Sequence, residues 1–76
     1  MKTLKGLKGQ EVIKGFYKAG GEPRKGKGDH INIKMPNGQL ITIPISGDVK
    51  LGLLKAAIRK AGLTEVKFLK YIEDLS

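Results

Sequence analysis

The chain contains one histidine, His30, which ends a basic and glycine-rich segment over residues 24–30. Histidine has an unperturbed pKa of about 6.5, so it can both accept and release a proton near neutral pH. Its position among several cations favours acid–base chemistry on a polyanion. The alternative is that His30 is an ordinary surface residue at the start of a strand.

The cations around this histidine are candidates for holding phosphate. Arginine can bind a phosphate through two parallel N–H donors, whereas lysine acts as a point charge. Glycine lets backbone N–H groups approach an anion closely, although a short Lys/Gly run is also typical of a solvated turn. The predicted binding residues are Arg24, Lys25, Lys27, Gly28 and Lys34.

The whole chain carries a net charge of +8 at pH 7. Such a field favours nucleic acid, an anionic membrane surface or an acidic protein as partner, because it speeds encounter and releases counterions from phosphates. It carries no information about base sequence.

Several classes of site are excluded by composition. Cysteine is absent, which rules out disulfides, thiolate metal sites and a cysteine nucleophile. With one histidine and singly scattered acidic residues, no spacing supplies three or four ligands to a metal ion. No stretch approaches the roughly 20 apolar residues that cross a bilayer. We therefore expect a soluble intracellular protein without metal, cofactor or membrane partner.

At 76 residues the chain has room for one small core, so a catalytic site must lie at the surface. The sequence predicts a single domain over residues 1–76. Within it, residues 1–8 are expected to be a flexible N-terminal segment, because lysines surround its two leucines and terminal residues commonly fray.

The first periodic pattern is helical. Val12, Ile13 and Phe16 recur on one side of a helix over residues 9–20, and Gly20-Gly21 is expected to end it in the left-handed conformation. Pro23 lacks a backbone donor and confines a strand near residues 22–25 to a sheet edge.

The next pattern has a period of two and predicts a hairpin. Apolar residues alternate over 31–35 and again over 41–45, on either side of Pro36-Asn37-Gly38. Asn-Gly between two such runs favours a type I′ turn, with positive φ at both central residues. If the isoleucines face the core, the opposite face carries His30, Asn32, Lys34 and Thr42, with His30 exposed beside Lys34.

Two further helices complete the predicted fold. Leu54, Ala57 and Ile58 form the apolar side of one helix that ends at Gly62, and Thr64 can cap a short last helix. The predicted class is α+β: a three-stranded antiparallel sheet with helices on one face, in the order α-β-β-β-α plus a short C-terminal helix.

An ordered set of residues resembles the HicA-type mRNA interferase toxins of bacterial toxin–antitoxin systems. The resemblance covers about residues 9–72. It rests on Arg24-x-x-x-Gly28-x-His30-x-x-Ile33, Pro36-Asn37-Gly38, Ile43-Pro44 and Lys50-Leu51-Gly52-x-Leu54-x-x-x-Ile58-x-x-Ala61-Gly62-Leu63. The resemblance implies a double-stranded-RNA-binding-like fold, ribonuclease activity that depends on His30, action on mRNA, and neutralisation by a HicB-type antitoxin.

The chain departs from the family pattern at three places. Asp29 stands where members commonly have serine, Ser46 stands where a histidine or similar group often follows the proline of the third strand, and Gly52-Leu53-Leu54 replaces Gly-Thr-Leu. A carboxylate beside His30 can favour the charged imidazole, but it can also repel phosphate. Asp29 and Ser46 are therefore auxiliary site candidates.

In this type of RNA cleavage the protein does not supply the nucleophile, because the 2′-hydroxyl of the RNA is the nucleophile. One group removes its proton, another protonates the leaving 5′-oxygen, and positive charge stabilises the phosphorane. His30 is the candidate for one proton transfer; Asp29, Lys34, Tyr17 or water remain open for the other. The alternative function is a noncatalytic RNA-binding domain or an inactive toxin relative. Leu40 and Leu53, predicted to be exposed, are candidates for an antitoxin contact.

Overall fold

The computed structural model describes residues 3–73 and shows an α+β domain. Its three strands form one antiparallel sheet in the order β1-β2-β3. The elements are α1 (Gly9–Lys18), β1 (Glu22–Lys25), β2 (His30–Lys34), β3 (Leu40–Pro44), α2 (Leu51–Lys60) and α3 (Glu65–Glu73). The predicted class, element order and C-terminal helix are confirmed.

The core lies between the sheet and the helices. Helix α1 packs against all three strands, α2 packs beside β3, and α3 packs against α1 and α2. Phe16 of α1 contacts Phe68 of α3, with ring centroids 4.7 Å apart and ring planes inclined by 49°. Ile33, Ile41 and Ile43 are buried beneath the helices. The other face of the sheet has no helix on it within residues 3–73.

The helix ends follow the predicted signals. Gly20 has φ of 101°, and the N–H of Gly21 donates to the carbonyl oxygen of Phe16 at 2.9 Å, which satisfies one of the last free carbonyls of α1. At the start of α3, the Thr64 hydroxyl accepts a hydrogen bond from the N–H of Lys67 at 3.2 Å.

The predicted type I′ turn is wrong, and proline supplies the reason. Gly38 has φ of 88°, but no residue other than glycine has positive φ within residues 3–73. The N–H of Gly38 donates to the Met35 carbonyl, and the N–H of Met35 donates to the Gln39 carbonyl. This is a three-residue loop with a left-handed glycine. In this loop Pro36 is the first central residue, where its φ of about −65° suits a type I turn. In a type I′ turn centred on Asn37-Gly38 it would flank the turn, where it lacks the N–H that has to pair with the Gln39 carbonyl.

Residues 3–8 do not form the frayed segment that the sequence predicts; residues 1–2 lie outside the described part of the chain. Leu4 and Leu7 are buried in the core. The Leu7 carbonyl accepts a hydrogen bond from the N–H of Val49 at 2.9 Å, and Lys8 Nζ lies 2.6 Å from Asp48 Oδ1. Burial of two leucines offsets the cost of ordering a short segment, which spacing along the chain did not reveal.

Helix α1 begins in close contact with the end of β3. The N–H of Gly9 donates to the Gly47 carbonyl at 3.1 Å, and a Cβ atom on Gly9 would overlap the carbonyl oxygen of Pro44. Pro44 lies directly opposite His30 in the sheet. The close approach that glycine permits here therefore supports the strand end that carries the candidate site.

Candidate functional site

His30 is the first residue of β2, and its side chain is exposed. Its backbone is held on both sides: the N–H donates to the Lys27 carbonyl at 3.1 Å, and the carbonyl accepts from the N–H of Gly26 at 3.0 Å. The imidazole therefore extends into solvent from an anchored backbone position. The predicted exposure of His30 is confirmed.

The turn before His30 depends on one glycine. Gly28 has φ of 58° and occupies the first central position of the turn that the bond between His30 and Lys27 closes. Positive φ at that position alone is the pattern of a type II′ turn. The next residue, Asp29, is exposed and accepts a hydrogen bond at its carbonyl from the N–H of Ile45 at 2.6 Å. The turn is thereby tied to the chain just after β3.

Strand register decides which side chains share a face with His30. Residues directly opposite each other in an antiparallel pair point to the same side of the sheet. Arg24 lies opposite Asn32, Asn32 opposite Thr42, and His30 opposite Pro44. The predicted open face is confirmed. It carries Glu22, Arg24, His30, Asn32, Lys34, Leu40 and Thr42, and we call it the open sheet face.

Asn32 is held in one orientation by its neighbour on β3. Thr42 Oγ1 donates to Asn32 Oδ1 at 2.8 Å, which leaves the amide nitrogen of Asn32 directed towards β1. A Cβ on Gly26 would lie 3.3 Å from that nitrogen. Asn32 stands two residues from His30 on the same face, a rise of about 7 Å. It thus offers two N–H donors on the same face as the imidazole, two residues along the strand.

This role of Asn32 was missed by sequence reasoning, which placed the residue on the open face and assigned it no chemistry. An amide and a hydroxyl at corresponding positions of the two hairpin arms were the available signal. The register, and therefore their pairing, depends on the loop length that the structure shows.

The candidate cations do not all gather around the histidine. Lys27 belongs to the His30 turn. Arg24 is on the open sheet face, and its Nη2 lies 3.6 Å from Glu22 Oε1 in an exposed ion pair. Lys34 shares the face but stands at the other end of β2, about 13 Å from His30 by strand rise. Lys34 is therefore on the predicted face of the sheet, but the expectation that it lies beside His30 is wrong.

Lys25 is on the other side of the sheet. It lies opposite Ile31, whose side chain packs against the core cluster, so alternation directs Lys25 towards the helix side of this edge strand. Ser46 is exposed and follows Ile45, at the same end of the sheet as His30. The structure thus separates Lys25 from the other candidates and leaves Ser46 near the site.

Two kinds of site are absent from the part of the chain that the structure describes. No group of three or more histidine or acidic side chains there could hold a metal ion. No helix there has the length and apolar character needed to span a membrane.

Comparison with known proteins identifies the family of the chain. The sequence model of the family described as HicA toxin of bacterial toxin–antitoxin matches residues 9–63, a span that contains the whole sheet and every candidate site residue. No curated protein matches the chain in sequence. Because the family match covers well over half of the chain, the protein belongs to the HicA toxin family of bacterial toxin–antitoxin systems.

Proposed function

We propose that this toxin cleaves mRNA in the bacterial cytoplasm without a metal ion, with His30 transferring a proton, and that a HicB-type antitoxin neutralises it. The observation that carries the proposal is the anchored, exposed imidazole on an open sheet face that also carries the cation Arg24 and the amide of Asn32. An exposed site on a sheet face suits a long polymer, which a closed cavity would exclude.

The RNA and the protein side chains together supply every reacting group in the proposed cleavage. The 2′-oxygen attacks the adjacent phosphorus, the bond from phosphorus to the 5′-oxygen breaks, and a cyclic phosphate remains. His30 removes the 2′-hydroxyl proton or delivers one to the leaving oxygen. A positioned proton-transfer group of this kind contributes about 10²- to 10⁴-fold in rate.

The proposed phosphate contacts are divided along the strand. Lys27, in the turn that holds His30, supplies positive charge to the scissile phosphate, where negative charge grows in the transition state. Arg24 and the amide of Asn32 contact the neighbouring part of the strand. Lys34, at the far end of β2, contacts a more distant phosphate and contributes to affinity.

The candidates for the second proton transfer differ in their position relative to His30. Tyr17 lies on α1, which packs on the opposite face of the sheet, so it cannot reach the substrate of His30. Lys34 is too distant by strand rise. Asp29, which lies in the turn, and water remain as candidates for this second role.

The test compares the wild type with His30→Ala and His30→Gln, using Tyr17→Ala as a surface control across the sheet. RNA cleavage is measured in the presence of a metal chelator, and a DNA strand of the same sequence is tested as a second substrate. The growth of cells that express each variant is measured in parallel. We expect the histidine variants to lose at least about 100-fold in cleavage and to keep RNA affinity. DNA, which lacks the 2′-hydroxyl, is expected to bind without being cut.

Cleavage by His30→Ala at the wild-type rate, or cleavage of DNA as fast as RNA, would contradict the mechanism. Binding of RNA by a wild type that cuts nothing would favour the noncatalytic RNA-binding function instead.

A further inference from the structure

A shallow groove lies between the outer edge of β3 and helix α2. It has a volume of about 260 Å³ and is lined mainly by apolar atoms, with Leu40 and Thr42 on the strand and Leu53, Ala56 and Lys60 on the helix. We call it the β3–α2 groove. None of the helix residues in it belongs to the proposed RNA site.

The strand side of the groove offers unpaired backbone groups. β3 is the last strand of the sheet order, and no further strand of residues 3–73 covers it. At odd-numbered positions of this arm of the hairpin, the backbone groups face the neighbouring arm. The N–H of Ile45 donates to the Asp29 carbonyl, and the Gln39 carbonyl accepts from the N–H of Met35. Alternation then directs the N–H and carbonyl of Thr42 and the carbonyl of Leu40 outwards.

The helix side of the groove offers apolar surface. Leu40 is 45% exposed and Leu53 is 46% exposed, and both line the same groove. Within residues 3–73, the other large exposed apolar side chains are Tyr17 on α1 and Val66 on α3. An uncovered strand edge beside a joint apolar patch is the usual target of strand addition by a partner.

We propose that an extended, acidic and apolar segment of the antitoxin binds in the β3–α2 groove as a fourth strand of the sheet. This inference rests on the proposed neutralisation by a HicB-type protein. Backbone hydrogen bonds to Thr42 align the segment, an apolar side chain fills the space between Leu40 and Leu53, and a carboxylate pairs with Lys60.

Charge selects this occupant over two others. A second copy of the chain would bring another net charge of +8 against Lys60, which opposes self-association. RNA would place phosphates on leucine and alanine side chains, which cannot solvate them. An acidic protein segment satisfies the lysine and buries the leucines.

The groove also places the partner next to the catalytic end. From Leu40 to Pro44 the strand rises about 13 Å, and Pro44 lies directly opposite His30. Gly9 of α1 lies against the Pro44 carbonyl oxygen, so an added strand pairs along Leu40 and Thr42 and ends about 7 Å short of the level of the imidazole. The chain that follows it covers the open sheet face. Neutralisation and catalysis then depend on different side chains, although Thr42 serves the first through its backbone and the second through its hydroxyl.

The experiment uses the whole toxin chain and a purified HicB-type antitoxin. Leu53→Glu and Lys60→Glu are compared with the control Val66→Glu, which introduces a carboxylate at an exposed apolar position on α3. We measure the dissociation constant of the complex, RNA cleavage by each free toxin, and amide hydrogen exchange at Thr42.

We expect Leu53→Glu to weaken the complex at least about 30-fold, as for a hot-spot residue worth 2 kcal/mol, and Lys60→Glu to weaken it about tenfold. Val66→Glu is expected to bind like the wild type, all three variants should cleave RNA normally, and the Thr42 amide should become protected in the complex.

Three results would overturn the proposal: no binding of the antitoxin to the wild type, binding of Leu53→Glu within threefold of the wild type, or an unprotected Thr42 amide in the complex. A loss of RNA affinity in Leu53→Glu would assign the groove to RNA instead. If the wild type binds the antitoxin as expected but cuts no RNA, the proposed ribonuclease activity is contradicted, whereas the proposed binding of the antitoxin in the β3–α2 groove is supported.

Discussion

Thr42 on β3 donates its hydroxyl hydrogen to the side-chain oxygen of Asn32 on β2, at 2.8 Å. The two residues lie directly opposite each other in the sheet. This bond determines which end of the Asn32 amide faces the strand that carries Arg24. Under the proposed function, Thr42 is thus a positioning residue, which would act on RNA through Asn32.

Removing the Thr42 hydroxyl should weaken RNA cleavage without unfolding the protein. In Thr42→Val the amide of Asn32 loses its partner and can turn, so we expect cleavage to fall about three- to tenfold, the equivalent of one net hydrogen bond. Thr42→Ser keeps the hydroxyl and should restore most of the rate. Equal rates for the valine and serine variants would show that the bond does not orient the amide.

Lys25 and Lys27 provide a pair of variants with the same change in charge at different places. Lys27 lies in the His30 turn, whereas Lys25 lies on the helix side of the sheet. We expect Lys27→Gln to lower the rate of RNA cleavage about tenfold through loss of a charge-assisted contact, and Lys25→Gln to stay within about twofold. Equal losses would indicate that only the overall charge matters.

Substitution by alanine should change the free energy of unfolding in opposite directions at Gly9 and at Gly52. A methyl group on Gly9 overlaps the Pro44 carbonyl, whereas one on Gly52 meets open space. We expect Gly9→Ala to lower the free energy of unfolding by about 1–3 kcal/mol through overpacking. Gly52→Ala, within α2, should raise it by about 0.5–1 kcal/mol. Urea denaturation measures both; a stable Gly9→Ala variant would contradict the close approach of α1 to β3.

Asn37 joins the hairpin loop to helix α2. Its Nδ2 donates to the Lys60 carbonyl and its Oδ1 accepts from the N–H of Gln39, both at 3.0 Å. We expect Asn37→Ala to lower the free energy of unfolding by about 1–2 kcal/mol, as for two net hydrogen bonds. Gln39→Ala removes an exposed amide from the same loop and serves as the control; thermal unfolding distinguishes the two.

The ion pair between Lys8 and Asp48 predicts a dependence of stability on alkaline pH. The hydrogen bond to Asp48, followed by its charge, raises the pKa of Lys8 above the ordinary value of 10.5. A raised pKa in the folded state means that this contribution is fully present below the ordinary value and is lost as pH rises through the folded one.

We therefore expect the wild type to unfold at higher urea concentration than Lys8→Gln at neutral pH, by a small margin because the pair is exposed. The margin should shrink above pH 10.5. A margin that stays constant through this range would mean that the charge of Lys8 does not contribute.

Local pattern was enough to predict most of the elements. The helical spacing of Val12 and Phe16 and the alternation of the isoleucines each reflect a single element with one buried face. The exposure of His30 followed from the same alternation. These predictions succeed because each depends on neighbours within one or two turns of the chain.

The errors came where two distant segments meet or where two local signals conflict. At the hairpin loop, the missing N–H of Pro36 prevailed over the preference of Asn37-Gly38 for type I′. Residues 3–8 are ordered by contacts with a segment about 40 positions away, as the bond between Leu7 and Val49 shows. No local pattern contains that information.

By itself the sequence determined the charge of the protein, the type of each element and the face on which His30 lies, because side-chain chemistry and backbone periodicity are local. Only the tertiary structure decided that Lys25 is separated from the site, that Thr42 orients Asn32, and that Leu40 and Leu53 share one groove. Each of these depends on strand register and helix packing, which bring together residues that are far apart in the chain.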